Sequence, residues 1–216
     1  MDTPEFKQRR RGRPRAADAV AVEHILDVAL DAFATRGYHG VSLRTINRAL
    51  GGSHNLIYQR FGTKDELWYA AVDFGFGNII RHLQDMPDPA VSDPLEQLRQ
   101  AIRRFLEYSA DYPQLLALMT IEARQDTDRL RHIYRTYLEP SQKDLIALLR
   151  RLADDGVVRR IPHRTFFFLI TFGATSPFSF VPLARLFDSL DPSDSPTVAE
   201  HADLVATVLV EGLLLT

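Results

Sequence analysis

Apolar residues recur at spacings of three and four along most of this 216-residue chain, the period of helices that bury one face. Between Asp18 and Thr35 they are Val22, Ile25, Leu26, Ala29, Leu30 and Phe33, and Gly37 stands where such a helix stops. Ser42 has the chemistry of an N-cap for a short helix through Leu43, Ile46, Ala49 and Leu50, closed by Gly51-Gly52. Ser53 opens a third, with Leu56, Ile57 and Phe61 inward, which Gly62 ends. Thr63 and Glu66 form a capping box ahead of a longer helix through Leu67, Trp68, Ala71 and Val72 to about Leu83. Four helices in such quick succession, two of them very short, predict a helix-turn-helix.

Residues 85–94, DMPDPAVSDP, hold three prolines and read as a linker or tight corner. Helical patterns follow over about 94–110, 113–125, 128–155, 163–187 and 196–214. Pro140 falls inside the third of these and should bend or interrupt it, because it removes a backbone donor and clashes with the preceding turn. The stretch RTFFFLITF suits a buried strand as well as a helix; with no partner strand elsewhere, the expectation is helix. The predicted fold is all-α, about nine helices: a disordered basic arm over 1–17, a three-helix DNA-binding head over 18–64 and a helical body over 65–216.

Charge sharpens this division. The net charge of −2 hides eleven basic against six acidic residues in 1–64, a net +5, and fifteen basic against twenty-two acidic in the remainder, a net −7. A basic head on an acidic body points to a polyanion at one end. The stretch RRRGRPR, residues 9–15, concentrates five arginines immediately before the first helix. Read alone, it is a solvated basic tail or a disordered localisation-type run.

Other classes find little material. The chain has no cysteine, which removes disulfides, thiolate metal sites and cysteine nucleophiles. Its seven histidines show no metal-ligand spacing, and no zinc-binding His-Glu-x-x-His, nucleophile elbow or phosphate loop is present, so neither enzyme activity, nor a metal, nor a cofactor is expected. No run of about 18 apolar residues predicts a membrane span, and the N-terminus lacks the apolar stretch of a signal peptide; a soluble cytoplasmic protein is expected.

In a helix-turn-helix the second helix enters the major groove while the first crosses the backbone. That second helix here is SHNLIYQRF, whose outward positions Ser53, His54, Asn55, Tyr58 and Gln59 carry short or planar hydrogen-bonding groups suited to base edges and phosphates. Ser42 and Arg44 on the preceding helix are counted with them, and Lys64 can meet a phosphate beside free backbone N–H groups. An exposed polar face would look similar, and an architectural protein that binds DNA without sequence preference would share the charge pattern.

The stretch from Ile46 to Leu67, INRALGGSHNLIYQRFGTKDEL, resembles the DNA-binding signature of the TetR family of transcriptional regulators. Ile46, Arg48, Gly51, Ser53, Tyr58, Phe61, Lys64 and Leu67 take the family's places without a gap, as do Phe33, Gly37, Tyr38, Ser42 and Leu43 before them. Asn47, Leu50, Gly52, Asn55 and Leu56 depart from the usual residues, which points to an unusual operator rather than to another fold.

The resemblance implies a helical ligand-binding and dimerisation domain over 65–216 and a homodimer on a palindromic operator. It implies a repressor released when a small molecule, apolar or aromatic, enters the body. Candidate ligand contacts are Phe105, Tyr108, Leu118, Met119, Phe167 and Phe168, with Leu115, Phe166, Ile170 and Phe172 beside them and Glu122, Arg124 or His163 as a polar anchor. Arg11, Arg13 and Arg15 would then lie in the narrow minor groove. Gly75 and Gly77, inside the helix joining head to body, are candidate hinge residues. The last helix, with Val198, Ala202, Leu204, Val205, Val208, Leu209 and Leu213, is apolar around much of its circumference, as a dimer seam shared with 163–187 would require.

Overall fold

The computed structural model of the chain describes residues 16–51, 56–84, 91–188 and 190–215. The arm with Arg11, Arg13 and Arg15, the turn residues Gly52, Ser53, His54 and Asn55, and most of the 85–94 corner lie outside the described residues. The described part is helical, with a single isolated antiparallel bridge between Val158 and Leu214.

Helix α1 (Ala16–Gly40) carries its predicted stripe inward: Ile25, Leu26, Ala29, Leu30 and Phe33 are all buried. Its regular part breaks at Gly37, whose φ of 67° is a conformation that disfavours a side chain. Space is tight too, since a Cβ there would sit 3.3 Å from Ile121 Cγ2. Ser42 caps α2 (Leu43–Ala49) by accepting the Thr45 N–H at 3.1 Å. Within α2 the expected face shifts by one detail: Ala49 is exposed, and Asn47 is buried in its stead. Helix α3 (Leu56–Phe61) buries Ile57 completely. Thr63 and Glu66 then make both bonds of the capping box ahead of α4 (Lys64–Gln84), Thr63 N–H donating to Glu66 Oε2 at 2.7 Å and Glu66 N–H to Thr63 Oγ1 at 3.2 Å.

In the body, α5 (Pro94–Asp111) and α6 (Pro113–Glu122) match their predicted spans closely. The 128–155 pattern is interrupted as Pro140 demands: α7 (Asp128–Ile133) widens into a π turn at Tyr134–Leu138, followed by α8 (Glu139–Ser141) and α9 (Lys143–Asp154). Pro140 has no N–H for the carbonyl one turn back, and the ladder reorganises there. The aromatic stretch is helical as expected, but not one helix. The whole 163–187 pattern runs as α10 (His163–Phe168), a π turn (Leu169–Ala174), α11 (Ser176–Ser179) and α12 (Val181–Ala184). The last helix, α13 (Ser195–Leu213), packs along α5.

Two apolar clusters organise these helices, and the expected boundary after residue 64 separates helices rather than cores. The first cluster joins α1–α3 to α4, α6 and α7 through Leu30, Phe33, Ile57, Trp68, Leu115, Leu118 and Ile133. The second joins α5, α9, α10, α11 and α13 through Leu98, Ile102, Leu106, Leu152, Phe166, Phe178 and Ala206. Gly75 serves the first: it is buried, and a Cβ on it would lie 2.8 Å from Leu115 Cδ2 and 2.8 Å from Leu30 Cδ2. At Gly77 nothing lies within 4 Å of a built Cβ. Close packing thus accounts for Gly75 without a hinge.

The two glycines should respond oppositely to alanine. Gly75→Ala overpacks the α1–α4–α6 junction, a fault that typically costs about 1–3 kcal/mol, and should lower stability in urea unfolding. Gly77→Ala, with open space and a better helix former, should raise it by up to about 1 kcal/mol.

Candidate nucleic-acid interface

The surface that could meet DNA is built from the short helices outward. Ile57, with no exposed surface, pins α3 to the core, and the outward side of this six-residue helix presents Tyr58, Gln59 and Arg60. Tyr58 is 68% exposed, a large aromatic ring left in solvent beside a fully buried neighbour. Arg44 is exposed on α2, while the Ser42 hydroxyl is engaged within its own turn, with Thr45 Oγ1 at 2.8 Å.

A residue that the motif reading treated only as a departure positions this surface. Asn47 is buried, and its Oδ1 accepts the Ile57 N–H at 3.4 Å, tying the second residue of α3 to α2. An alanine could not do so. The free N–H groups of a helix start need an acceptor, and here one comes from the preceding helix across the turn. A buried polar side chain ten positions before its partner leaves no periodic signal, which is why spacing missed it.

Lys64 begins α4, half-buried, with its ammonium 4.1 Å from the centroid of the Tyr38 ring. Burial, and secondarily the positive Arg129, hold its pKa below the ordinary lysine value. Tyr38 donates its hydroxyl to Asp65, and burial together with that carboxylate pushes the phenol up to about 12. Glu66 lies lower than an ordinary carboxyl because the Thr63 backbone N–H and hydroxyl both donate to it. The start of α4 is therefore a fixed array of polar groups.

The expected ligand contacts are divided between the two apolar clusters and the surface. Leu118 and Met119 are buried in the first cluster, Phe105 packs against the second, Tyr108 is half-buried on α5, and Phe168 is 54% exposed. Phe167, Phe168 and Phe172 contact one another, with Phe168 stacked on Phe172 at 5.4 Å. Glu122, read as a ligand anchor, is 3% exposed and already paired with Arg129 at 3.2 Å, while Arg124 and His163 face solvent. The physical reason is that aromatic periodicity marks inward faces, not which neighbour each face meets. A cavity of about 360 Å³ is lined by Phe178, Phe180, Leu183, Phe187, Leu190 and His201, among others.

Exposed apolar side chains gather on the body. Leu204 and Val208, one turn apart on α13, are 64% and 59% exposed, and Phe168, Leu169, Leu183, Leu186 and Phe187 are exposed as well. No helix among the described residues is long and apolar enough to cross a membrane.

Comparison with known proteins places this architecture. Residues 25–71 match the model of bacterial regulatory proteins of the tetR family, and residues 94–209, more than half of the chain, match a tetracyclin repressor-like C-terminal domain. The HTH-type transcriptional regulator RutR of Escherichia coli (strain K12) is 24% identical over 208 residues, covering 94% of either chain. The HTH-type transcriptional repressor Rv3405c of Mycobacterium tuberculosis is 29% identical over 128 residues, 55% of this chain and 68% of that protein. Among solved structures, the hemolysin II transcriptional regulator HlyIIR superposes with a TM-score of 0.66 at 19% identity, covering 92% of this chain and 99% of that one. FadR from Bacillus subtilis, in complex with stearoyl-CoA, gives 0.62 at 19% identity, covering 89% and 99%.

Losing the Asn47 cap should loosen α3 itself. Asn47→Ala is expected to cost about 1 kcal/mol, the usual magnitude for a lost helix cap, in thermal unfolding. Amide exchange at Ile57 should accelerate more than exchange in α13.

Proposed function

The chain belongs to the tetR family of bacterial regulatory proteins, which are helix-turn-helix transcriptional regulators, and we propose that it is a repressor binding a palindromic operator as a homodimer. Residues 18–64 form the DNA-reading head in this reading, 65–216 the ligand-binding and dimerisation domain, and 1–17 a basic arm. Ser53, His54, Asn55, Tyr58 and Gln59 face the major groove, with Ser42, Arg44 and Lys64 on phosphates and Arg11, Arg13 and Arg15 in the minor groove. The observation that carries the reading is Tyr58, 68% exposed on a short helix whose next residue inward, Ile57, is wholly buried. Such a ring gains most by leaving water against a partner.

Two half-sites on a palindrome lie about 34–36 Å apart and require two heads. The exposed pair Leu204 and Val208 supports a seam between copies of α13, since a contiguous apolar face left in water marks a contact surface. The effector is a small apolar or aromatic molecule. What supports its class is the aromatic and aliphatic lining of the cavity beside α11 and α12, where eight apolar residues, Phe178, Phe180, Leu183 and Phe187 among them, stand against four polar ones. Binding of it in the body releases the head from DNA.

Selection of bound sequences from random duplexes should yield a palindromic consensus. Lys64→Ala should weaken all sequences alike and reduce the salt slope by about one, whereas Tyr58→Ala should alter preference between sequences. Binding without any consensus would favour an architectural role. In sedimentation at micromolar concentration the chain should be a dimer, and Leu204→Asp with Val208→Asp should leave a folded monomer.

A further inference from the structure

We propose that Arg129 is a positioning residue that latches the body onto the DNA-reading head, and that the corner between α6 and α7 thereby controls DNA affinity. The inference rests on the DNA-binding role proposed above for the head. It begins with Glu122, the last residue of α6, which is buried among apolar neighbours. A carboxylate there must be paired, and it accepts the Arg129 Nε–H at 3.2 Å and the Thr127 hydroxyl at 3.4 Å. Thr127 also caps α7 through the Leu130 N–H at 3.1 Å, so the turn, the cap and the ion pair form one unit.

That unit points into the head. The Arg129 guanidinium lies 4.0 Å from the centroid of the Tyr38 ring and 5.8 Å from Trp68. Tyr38 in turn holds Asp65 through its hydroxyl and Lys64 over its ring, the two residues that open α4. The planar guanidinium can bond the carboxylate along its edge while stacking its face on the ring, which an ammonium cannot do. Charge balances within the cluster: Arg129 with Glu122, and Lys64 beside Asp65.

A second contact fixes α7 farther along α4. Asp73 accepts the Tyr137 hydroxyl at 2.7 Å and lies 2.6 Å from His132 Nε2. Residues 132 and 137 are five apart and would diverge on an α-helix. The π turn over Tyr134–Leu138, with its i to i+5 bonding, brings them to one face. Tyr69 meets the His132 ring edge-on and Phe76 stacks on Tyr137, so one face of α4 is held from Tyr69 to Phe76. A displacement of the α6–α7 corner relative to α1 must then break the Arg129–Tyr38 contact or drag the start of α4 with it.

Trp68 is the sole tryptophan of the chain, fully buried beside this latch, and reports on it without DNA. The test uses the full chain, with a duplex carrying the sequence it selects from random DNA. Replacing the pair by neutral polar groups, Glu122→Gln with Arg129→Gln, avoids stranding a buried charge. This variant should bind the duplex at least tenfold more weakly with an unchanged salt slope, and acrylamide should quench Trp68 more efficiently. Arg129→Lys, which keeps the charge but not the stacking, should fall between it and the original protein in both readouts. Full affinity together with unchanged quenching in the folded double variant overturns the latch. A salt slope lower by about one overturns it differently, making Arg129 a phosphate contact. If the double variant does not fold, Arg129→Lys decides by the same two readouts. Failure of the original chain to select any sequence defeats the regulator reading instead, and Trp68 quenching then judges the latch alone.

Discussion

The packing of α1 against both α4 and α6 is the constraint on which the rest of this molecule depends. Leu30 and Phe33 project from α1 into one apolar cluster with Trp68 of α4 and Leu115 and Leu118 of α6, all of them at most 2% exposed. The three helices of the head, two of them only seven and six residues long, have little apolar surface of their own with which to hold a recognition helix. They hold it by sharing a core with the body. The orientation of α3 is consequently a property of the body as much as of the head, and a regulator needs that dependence if an event in one is to be felt in the other.

Where the shared core meets solvent, polar groups take over from apolar ones. Tyr38, Asp65, Lys64, Arg129 and Glu122 form a small array at the edge of the first cluster, in which each has a partner and the Glu122 carboxylate, buried, depends on its own. Apolar packing is tolerant of small slides, whereas a stacked guanidinium and a buried ion pair have one good geometry. The array therefore adds directional precision to a contact that the hydrophobic effect makes strong but not specific.

The second cluster is separate from the first. Leu98, Ile102 and Leu106 of α5 pack with Ala202, Ala206 and Val210 of α13, and the alanines allow the two helices to approach closely. The opposite side of α13 keeps Leu204 and Val208 in solvent, so that one helix both closes the body and leaves apolar side chains exposed.

The helical class, the punctuation of the head and the caps were legible in the residues because each is local. A period of three to four marks an inward face, glycines at 37, 51 and 62 take positive φ where a turn must be tight, and Thr63 reaches Glu66 within a single turn. The interruption at Pro140 was legible for the same reason, since a missing N–H acts within its own helix. Partners were not legible. Glu122 reads as a candidate ligand anchor and Arg129 as nothing in particular until α6 and α7 fold onto α1, and Asn47 reads as a departure until Ile57 arrives beside it. Periodicity states which face a helix buries. Which face it meets depends on contacts dozens of residues apart, and those are fixed only when all the helices compete for one core.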